Sequence, residues 1–131
     1  MRTTPTVLVV DDHPVVLEGI ADFLESFGYH VLSALRGQEG LRLALDEQPD
    51  AVVCDYVLPD VDGLSMLRLL RQYAATAAIP FVLLTSRAND EVLQELQRFG
   101  SVAYLDKCSG VGSLLGTLEQ MLAGNMPAGV V

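Results

Sequence analysis

Four apolar runs in this chain each lead into polar residues. Asp11-Asp12 follow TVLVV, Asp55 closes AVVCD, Thr85-Ser86 follow PFVLL, and Lys107 lies just past VAYL. Carboxylates, a hydroxyl and an ammonium are the groups that handle a phosphoryl group. Three carboxylates drawn together in a partly buried cleft repel one another. They require a divalent cation, and an all-oxygen set favours Mg²⁺ or Mn²⁺ over zinc. A lysine and a hydroxyl beside them add donors for an anion. One of the carboxylates is then equipped to act as a nucleophile and form an acyl phosphate. Singly, each of these residues is an ordinary polar position after a strand. A common edge of one sheet is what would make them a site.

The elements that must position them alternate regularly. Thr6–Val10, His30–Ala34, Ala51–Asp55, Pro80–Leu84 and Val102–Leu105 read as strands. The first, third and fourth are continuous apolar runs, as expected when both faces are buried. Between them lie helical patterns. Pro14–Phe27 carries Val16, Ile20, Phe23, Leu24 and Phe27; Gln38–Glu47 carries Leu41, Ala44 and Leu45; Leu64–Tyr73 leads to Ala74 with Leu67 and Leu70 in register. Asp90–Phe99 and Val111–Ala123 complete the set, the latter with Leu114, Leu115, Leu118, Met121 and Leu122. Strict βα alternation with right-handed crossovers predicts an α/β fold, a five-stranded parallel sheet with five helices on two faces. Five strands are too few for an eight-stranded barrel. The flavodoxin-like order 2-1-3-4-5 puts a switch point between strands one and three, where Asp11, Asp12 and Asp55 would meet.

Composition narrows the function classes. The 131 residues make one domain, and 50% are hydrophobic, enough for a core without disulfides. Eight Lys+Arg against 17 Asp+Glu give a formal charge of −9, which disfavours direct nucleic-acid binding. Cys54 and Cys108 match no zinc or redox spacing, so a reducing, cytoplasmic setting is expected. No apolar run reaches the ~20 residues of a membrane span, and no signal-peptide pattern precedes VLVVDD. The expected domain covers residues 6–123, with 124–131 a short flexible C-terminal tail.

Taken together, VLVVDD, AVVCDYVLPDVDG, PFVLLTS and YLDK resemble the receiver domain of two-component response regulators in order and spacing. The resemblance implies a phosphorylation-controlled switch that catalyses only its own phosphorylation and dephosphorylation and is not otherwise an enzyme. It implies Asp55 as phosphoacceptor and Asp11, Asp12, Asp55 and the Val57 backbone carbonyl as ligands to Mg²⁺, with Mn²⁺ as an alternative. Thr85 matches the hydroxyl that moves onto the phosphoryl group, Tyr104 the aromatic that changes rotamer, and Lys107 the lysine that contacts a phosphoryl oxygen. Pro59 and Asp62-Gly63 match the loop into the third helix. Val57 and Arg87 occupy the positions that flank the phosphoryl group and tune its lifetime. The implied partners are a sensor histidine kinase or phosphotransfer protein, and an output protein or a C-terminal output domain beyond this sequence. Cys108 replaces the family's frequent proline after the lysine, so a trans bond is expected there. That replacement, with DDHPVVLEGI, resembles receivers attached to DNA-binding output domains.

Other residues have ordinary readings. His13 is expected to be solvated at the start of the first helix, His30 to be surface, Cys54 to be core and Cys108 to be a loop thiol. Two further functions use the same fold class. A nucleotide- or flavin-binding module would need a glycine-rich loop after strand one, where the chain has Asp11-Asp12-His13-Pro14. A phosphorylation-independent interaction domain would be expected to lack some of the site residues, and this chain has them all.

Overall fold

A computed structural model describes residues 4–86 and 90–124, except the Cys108 side chain. The expectations for Arg87, for the Cys108 thiol and for 125–131 of the tail lie outside the described residues. The sheet is formed by β1 (Thr6–Val10), β2 (His30–Ala34), β3 (Ala51–Asp55), β4 (Phe81–Thr85) and β5 (Val102–Asp106). All pairings are parallel, in the order β2-β1-β3-β4-β5. The helices are α1 (Pro14–Ser26), α2 (Gly37–Glu47), α3 (Gly63–Gln72), α4 (Asp90–Leu96) and α5 (Val111–Leu122). A 3-10 turn at Lys107–Ser109 joins β5 to α5, and the Lys107–Cys108 bond is trans, as expected.

Because strand side chains alternate in direction, the apolar runs build two cores. Leu8, Val10, Val52, Cys54, Phe81 and Leu83 pack with Ala44 of α2, Met66, Leu67 and Leu70 of α3, and Val92 and Leu96 of α4. Val7, Val9, Val53, Val82 and Leu84 pack with Leu17, Ile20 and Leu24 of α1 and Leu114, Leu118 and Met121 of α5. Cys54 is therefore core, as expected. Burial, followed by the charges of Asp55 and Asp11, pushes its thiol well above the usual value.

The differences from sequence expectation lie at element ends and helix faces: β4 runs Phe81–Thr85 where Pro80–Leu84 is expected, so Thr85 closes the strand, and β5 extends one residue past Leu105 to Asp106. In α1, Leu17 and Ala21 are buried with Ile20 and Leu24, while Val16 is exposed. Val16 and Leu17 both stand at helical spacing from Ile20, and packing turns the face that also carries Ala21 inward, which buries Leu17 and leaves Val16 at its margin. Phe27 lies beyond the helix and stacks against Phe23 with ring centroids 5.0 Å apart. At the end of α3, the Thr76 hydroxyl donates to the Leu70 carbonyl, so Ala74 falls outside the helix. Past α4 the chain tightens, with Phe99 N–H donating to the Leu96 carbonyl, and reaches Ser101 at a φ of 58°. Arg71 donates to the Gly100 and Ser101 carbonyls and fixes this turn.

The loop after β3 folds back tightly. Gly63 N–H donates to the Tyr56 carbonyl at 2.7 Å. A Cβ at Gly63 would lie 2.5 Å from the Asp55 carbonyl oxygen and 2.6 Å from Leu83 Cδ1. Gly63→Ala should therefore cost about 1–3 kcal/mol. Gly19 and Gly116 lie within exposed helix and would meet nothing within 4 Å. Alanine at either should add about 0.5–1 kcal/mol. Urea denaturation reads both effects, and a Gly63→Ala variant as stable as wild type would refute the close approach.

Candidate functional site

The site forms where three parallel strands end side by side. Val10 pairs with Cys54, so the next residues, Asp11 and Asp55, leave neighbouring strands at the same level. Asp55 in turn pairs with Leu84, which brings Thr85 to that edge. Thr85 pairs with Asp106, and Lys107 follows it. The sheet register thus brings Asp11, Asp55, Thr85 and Lys107 to one edge. Both Asp11 and Asp55 are buried, as is Thr85, whereas Asp12 is half-buried.

Lys107 binds the two buried acids together. Its Nζ donates to Asp55 Oδ2 at 2.9 Å and to Asp11 Oδ2 at 3.2 Å. Burial pulls its pKa downward, but the hydrogen bond and charge of Asp55, then those of Asp11, outweigh burial and hold it above the usual lysine value. Carboxylate oxygens of Asp11, Asp12 and Asp55 and a ring nitrogen of His13 lie within 4.8 Å of one another. Asp12 Oδ1 is sealed from solvent and, among the described residues, has no hydrogen-bond partner. It lies 3.1 Å from His13 Nδ1 without the alignment of a hydrogen bond. A buried carboxylate oxygen without a donor, within a cluster of three acids, is a donor set that a metal cation fits.

His13 departs in part from expectation. Its side chain is 64% exposed, yet its Nδ1 lies 3.1 Å from Asp11 Oδ1 and its N–H donates to the same oxygen at 2.9 Å. The ring is thus solvated as expected, and one of its nitrogens also reaches the acid pair. Val57 is 69% exposed in the loop after Asp55. Tyr104 is half-buried on β5; burial, then the Asp106 charge, raises its phenol above the usual value. Lys107 follows β5, as expected, and begins the 3-10 turn.

One residue given no role from sequence stands out in the β3–α3 loop. Asp60 accepts from Gly37 N–H at 2.9 Å and from Gln38 N–H at 2.8 Å, the first two amides of α2. Burial pushes its carboxyl up, but the amides of Gln38, Gly37 and Val61 together hold it below the usual value. These partners lie 22 and 23 residues away, so no local spacing could have disclosed them. Its neighbour Asp62 caps α3 by accepting from Ser65 N–H at 2.7 Å.

Comparison with known proteins places this geometry. A family model described as the response regulator receiver domain matches residues 7–119. The protein PilH of Pseudomonas aeruginosa is 36% identical over 118 residues, covering 90% of this chain and 98% of PilH. The DNA-binding dual master transcriptional regulator RpaA of Synechocystis is also 36% identical, over 120 residues, but this chain spans only 49% of its length. Among solved structures, the chemotaxis response regulator CheY4 of Vibrio cholerae superposes with a TM-score of 0.83 at 28% identity, covering 91% of this chain and 99% of that one. Phosphorylation on an aspartate with Mg²⁺ is the general function of these signalling domains, which are not enzymes in the ordinary sense, and the match sets aside the nucleotide- or flavin-binding module. The sheet order, the acid cluster around a lysine and the match over nearly the whole chain agree, and the chain belongs to the response regulator receiver domain family.

Proposed function

We propose that Asp55 accepts a phosphoryl group from a phosphohistidine of a sensor histidine kinase or phosphotransfer protein. The observation that carries this reading is the Lys107 ammonium bonded to Asp55 Oδ2 within an acid cluster that holds an unpartnered oxygen. Asp11, Asp12, Asp55 and the Val57 carbonyl would hold Mg²⁺, or Mn²⁺, which supplies positive charge to the phosphoryl oxygens. A carboxylate oxygen of Asp55 forms the new O–P bond as the donor's P–N bond breaks, and the electron pair leaves on the donor nitrogen. Lys107, already charged and in reach, transfers its hydrogen bonds from the carboxylates to a phosphoryl oxygen.

The Thr85 hydroxyl then turns onto the phosphoryl group, and Tyr104 repacks behind it. A contact made only in the phosphorylated state supplies the differential affinity that shifts a population. The changed surface is that of α4, β5 and α5, read by an output protein or by an output domain; this chain spans 49% of RpaA, a DNA-binding transcriptional regulator. At a formal charge of −9 this domain would not bind nucleic acid itself. Among the described residues no helix is long and apolar enough to cross a membrane, and the kinase chemistry fits a cytoplasmic setting.

Incubation with acetyl phosphate and Mg²⁺, followed by mass spectrometry, should place one phosphoryl group on Asp55. Chelator or Asp55→Ala should abolish it, and undiminished labelling in either case would overturn the assignment. Phosphate release should quicken severalfold in Val57→Asn, where an amide replaces an apolar side chain that cannot orient water. Arg87→Ala should quicken it more modestly. Unchanged release in both would remove these residues from control of the lifetime.

Charge compensation predicts opposite effects on stability in chelator. Asp12→Ala removes the unpartnered oxygen and should add about 1 kcal/mol. Lys107→Met leaves two buried acids uncompensated and should cost about 3 kcal/mol, the low end because the lysine is itself only partly buried. Since folding raises the Lys107 pKa, its contribution is fully present below the ordinary lysine value and is lost only as pH rises through the raised one. Denaturation at neutral pH therefore measures it in full. Loss of stability in Asp12→Ala would show that the acids are not in conflict.

A further inference from the structure

The six residues between Tyr56 and Gly63 form a loop whose ends are tied together and whose tip is tied to another helix. At the base, Tyr56 N–H donates to the Leu84 carbonyl at 2.8 Å and Gly63 N–H to the Tyr56 carbonyl at 2.7 Å. At the tip, Asp60 spans the first two amides of α2 with its two carboxylate oxygens, at 2.9 and 2.8 Å. The same contact is tight from the other side. A Cβ at Gly37 would run into Val61 Cγ2 and would come within 3.3 Å of Asp60 Oδ1 and 3.5 Å of Leu58 Cδ1. Glycine at the first position of α2 lets the loop close onto the helix end, and a carboxylate there is held by the positive end of the helix dipole.

We propose that Asp60 is a positioning residue for the metal site. Clamped to the start of α2, it fixes the loop that presents the Val57 carbonyl beside Asp55, and Gly37 is the space that makes the clamp possible. This inference rests on the metal-dependent reading of Asp55 above. Both carboxylate oxygens of Asp60 are taken up by the α2 amides. It acts through the loop, as outer partners of a metal site orient the atoms that bind. Without the clamp the tip of the loop would be held by the packing of Leu58 and Val61 alone, and the carbonyl would have to be ordered further when the cation binds. That cost falls on metal affinity and leaves the phosphorylation rate at saturating metal nearly unchanged.

The test titrates the protein with Mg²⁺ alone, by calorimetry and without phosphodonor. Asp60→Ala should bind about tenfold more weakly, the low end for a group one step removed from a metal ligand. Asp60→Asn keeps one acceptor oxygen and should fall between. Gly37→Ala should also weaken binding although it changes no charge, because the added methyl pushes the loop away. Asp50 provides the control: its Oδ2 accepts from Thr6 N–H at 2.7 Å near the opposite ends of the strands. Asp50→Ala removes an acid and a carboxylate–amide bond there and should bind Mg²⁺ as wild type does. At saturating Mg²⁺, Asp60→Ala should regain the wild-type rate of labelling by acetyl phosphate. Wild-type affinity in both Asp60→Ala and Gly37→Ala, or an equal loss in Asp50→Ala, would overturn the clamp. A wild-type protein that binds no Mg²⁺ would instead overturn the reading of the site, and the clamp with it.

Discussion

One ammonium set against two carboxylates that are almost sealed from water is the interaction on which the site depends. Asp11 and Asp55 are 1% and 4% exposed, and Lys107 Nζ lies within hydrogen-bond reach of both. Burial of an ionised acid is costly unless a charge partner and hydrogen bonds replace water. With the formal charges of Asp11, Asp12, Asp55 and Lys107 the cluster still carries two excess negative charges, and among the described residues Asp12 Oδ1 has no donor. The cluster is therefore compensated only in part. A divalent cation would complete it, and a phosphoryl group would then be the kind of anion that the enlarged positive set can hold.

The sheet explains why a lysine supplies that ammonium. Two strand spacings separate β3 from β5, with β4 between them, a distance of about 10 Å. A residue following β5 must reach across β4 to touch Asp55. The flexible four-carbon stem of lysine spans part of that gap and places a compact charge at its end. Thr85, on the intervening strand, needs only a short side chain for the same task. Distance from β3 along the sheet thus matches the length of the side chains at the edge.

Much of this was legible in the chain. Continuous apolar runs mark buried parallel strands, and the strand starts at Thr6, His30, Ala51 and Val102 emerge as expected. Polar residues at the strand ends then follow as a shared edge, because parallel strands all present the same end to one side. What the sequence hides is pairing at long range. Asp60 meets α2, Arg71 meets the Gly100–Ser101 turn, and Arg68 pairs with Glu95 across α3 and α4. No periodicity encodes such contacts, which depend on how helices settle against the sheet. The α1 stripe fails for a related reason: Val16 and Leu17 are equally apolar, and only packing decides which turns inward.

Unequal anchoring of the helices bears on how a charge change at Asp55 could spread. The strands beneath it are buried along their whole length in β1, β3 and β4, so the sheet offers little room for movement. Helix α3 buries Leu64, Met66, Leu67 and Leu70, and is capped by Asp62. Helix α4 is seven residues long and buries only Val92 and Leu96, supplemented by the partly exposed Arg68–Glu95 pair. A surface ion pair of this kind adds little, about 0–1 kcal/mol. Tyr104 on β5 packs beside this same core, only half-buried, and Thr85 lies on the strand between it and Asp55. Low local stability is where small free-energy changes have structural effect. Under the phosphorylation proposed for Asp55, a hydrogen bond made at Thr85 would be worth about 1 kcal/mol, less than the two buried side chains that hold α4, so it would bias how the α4–β5 side of the sheet settles and leave the buried strands in place.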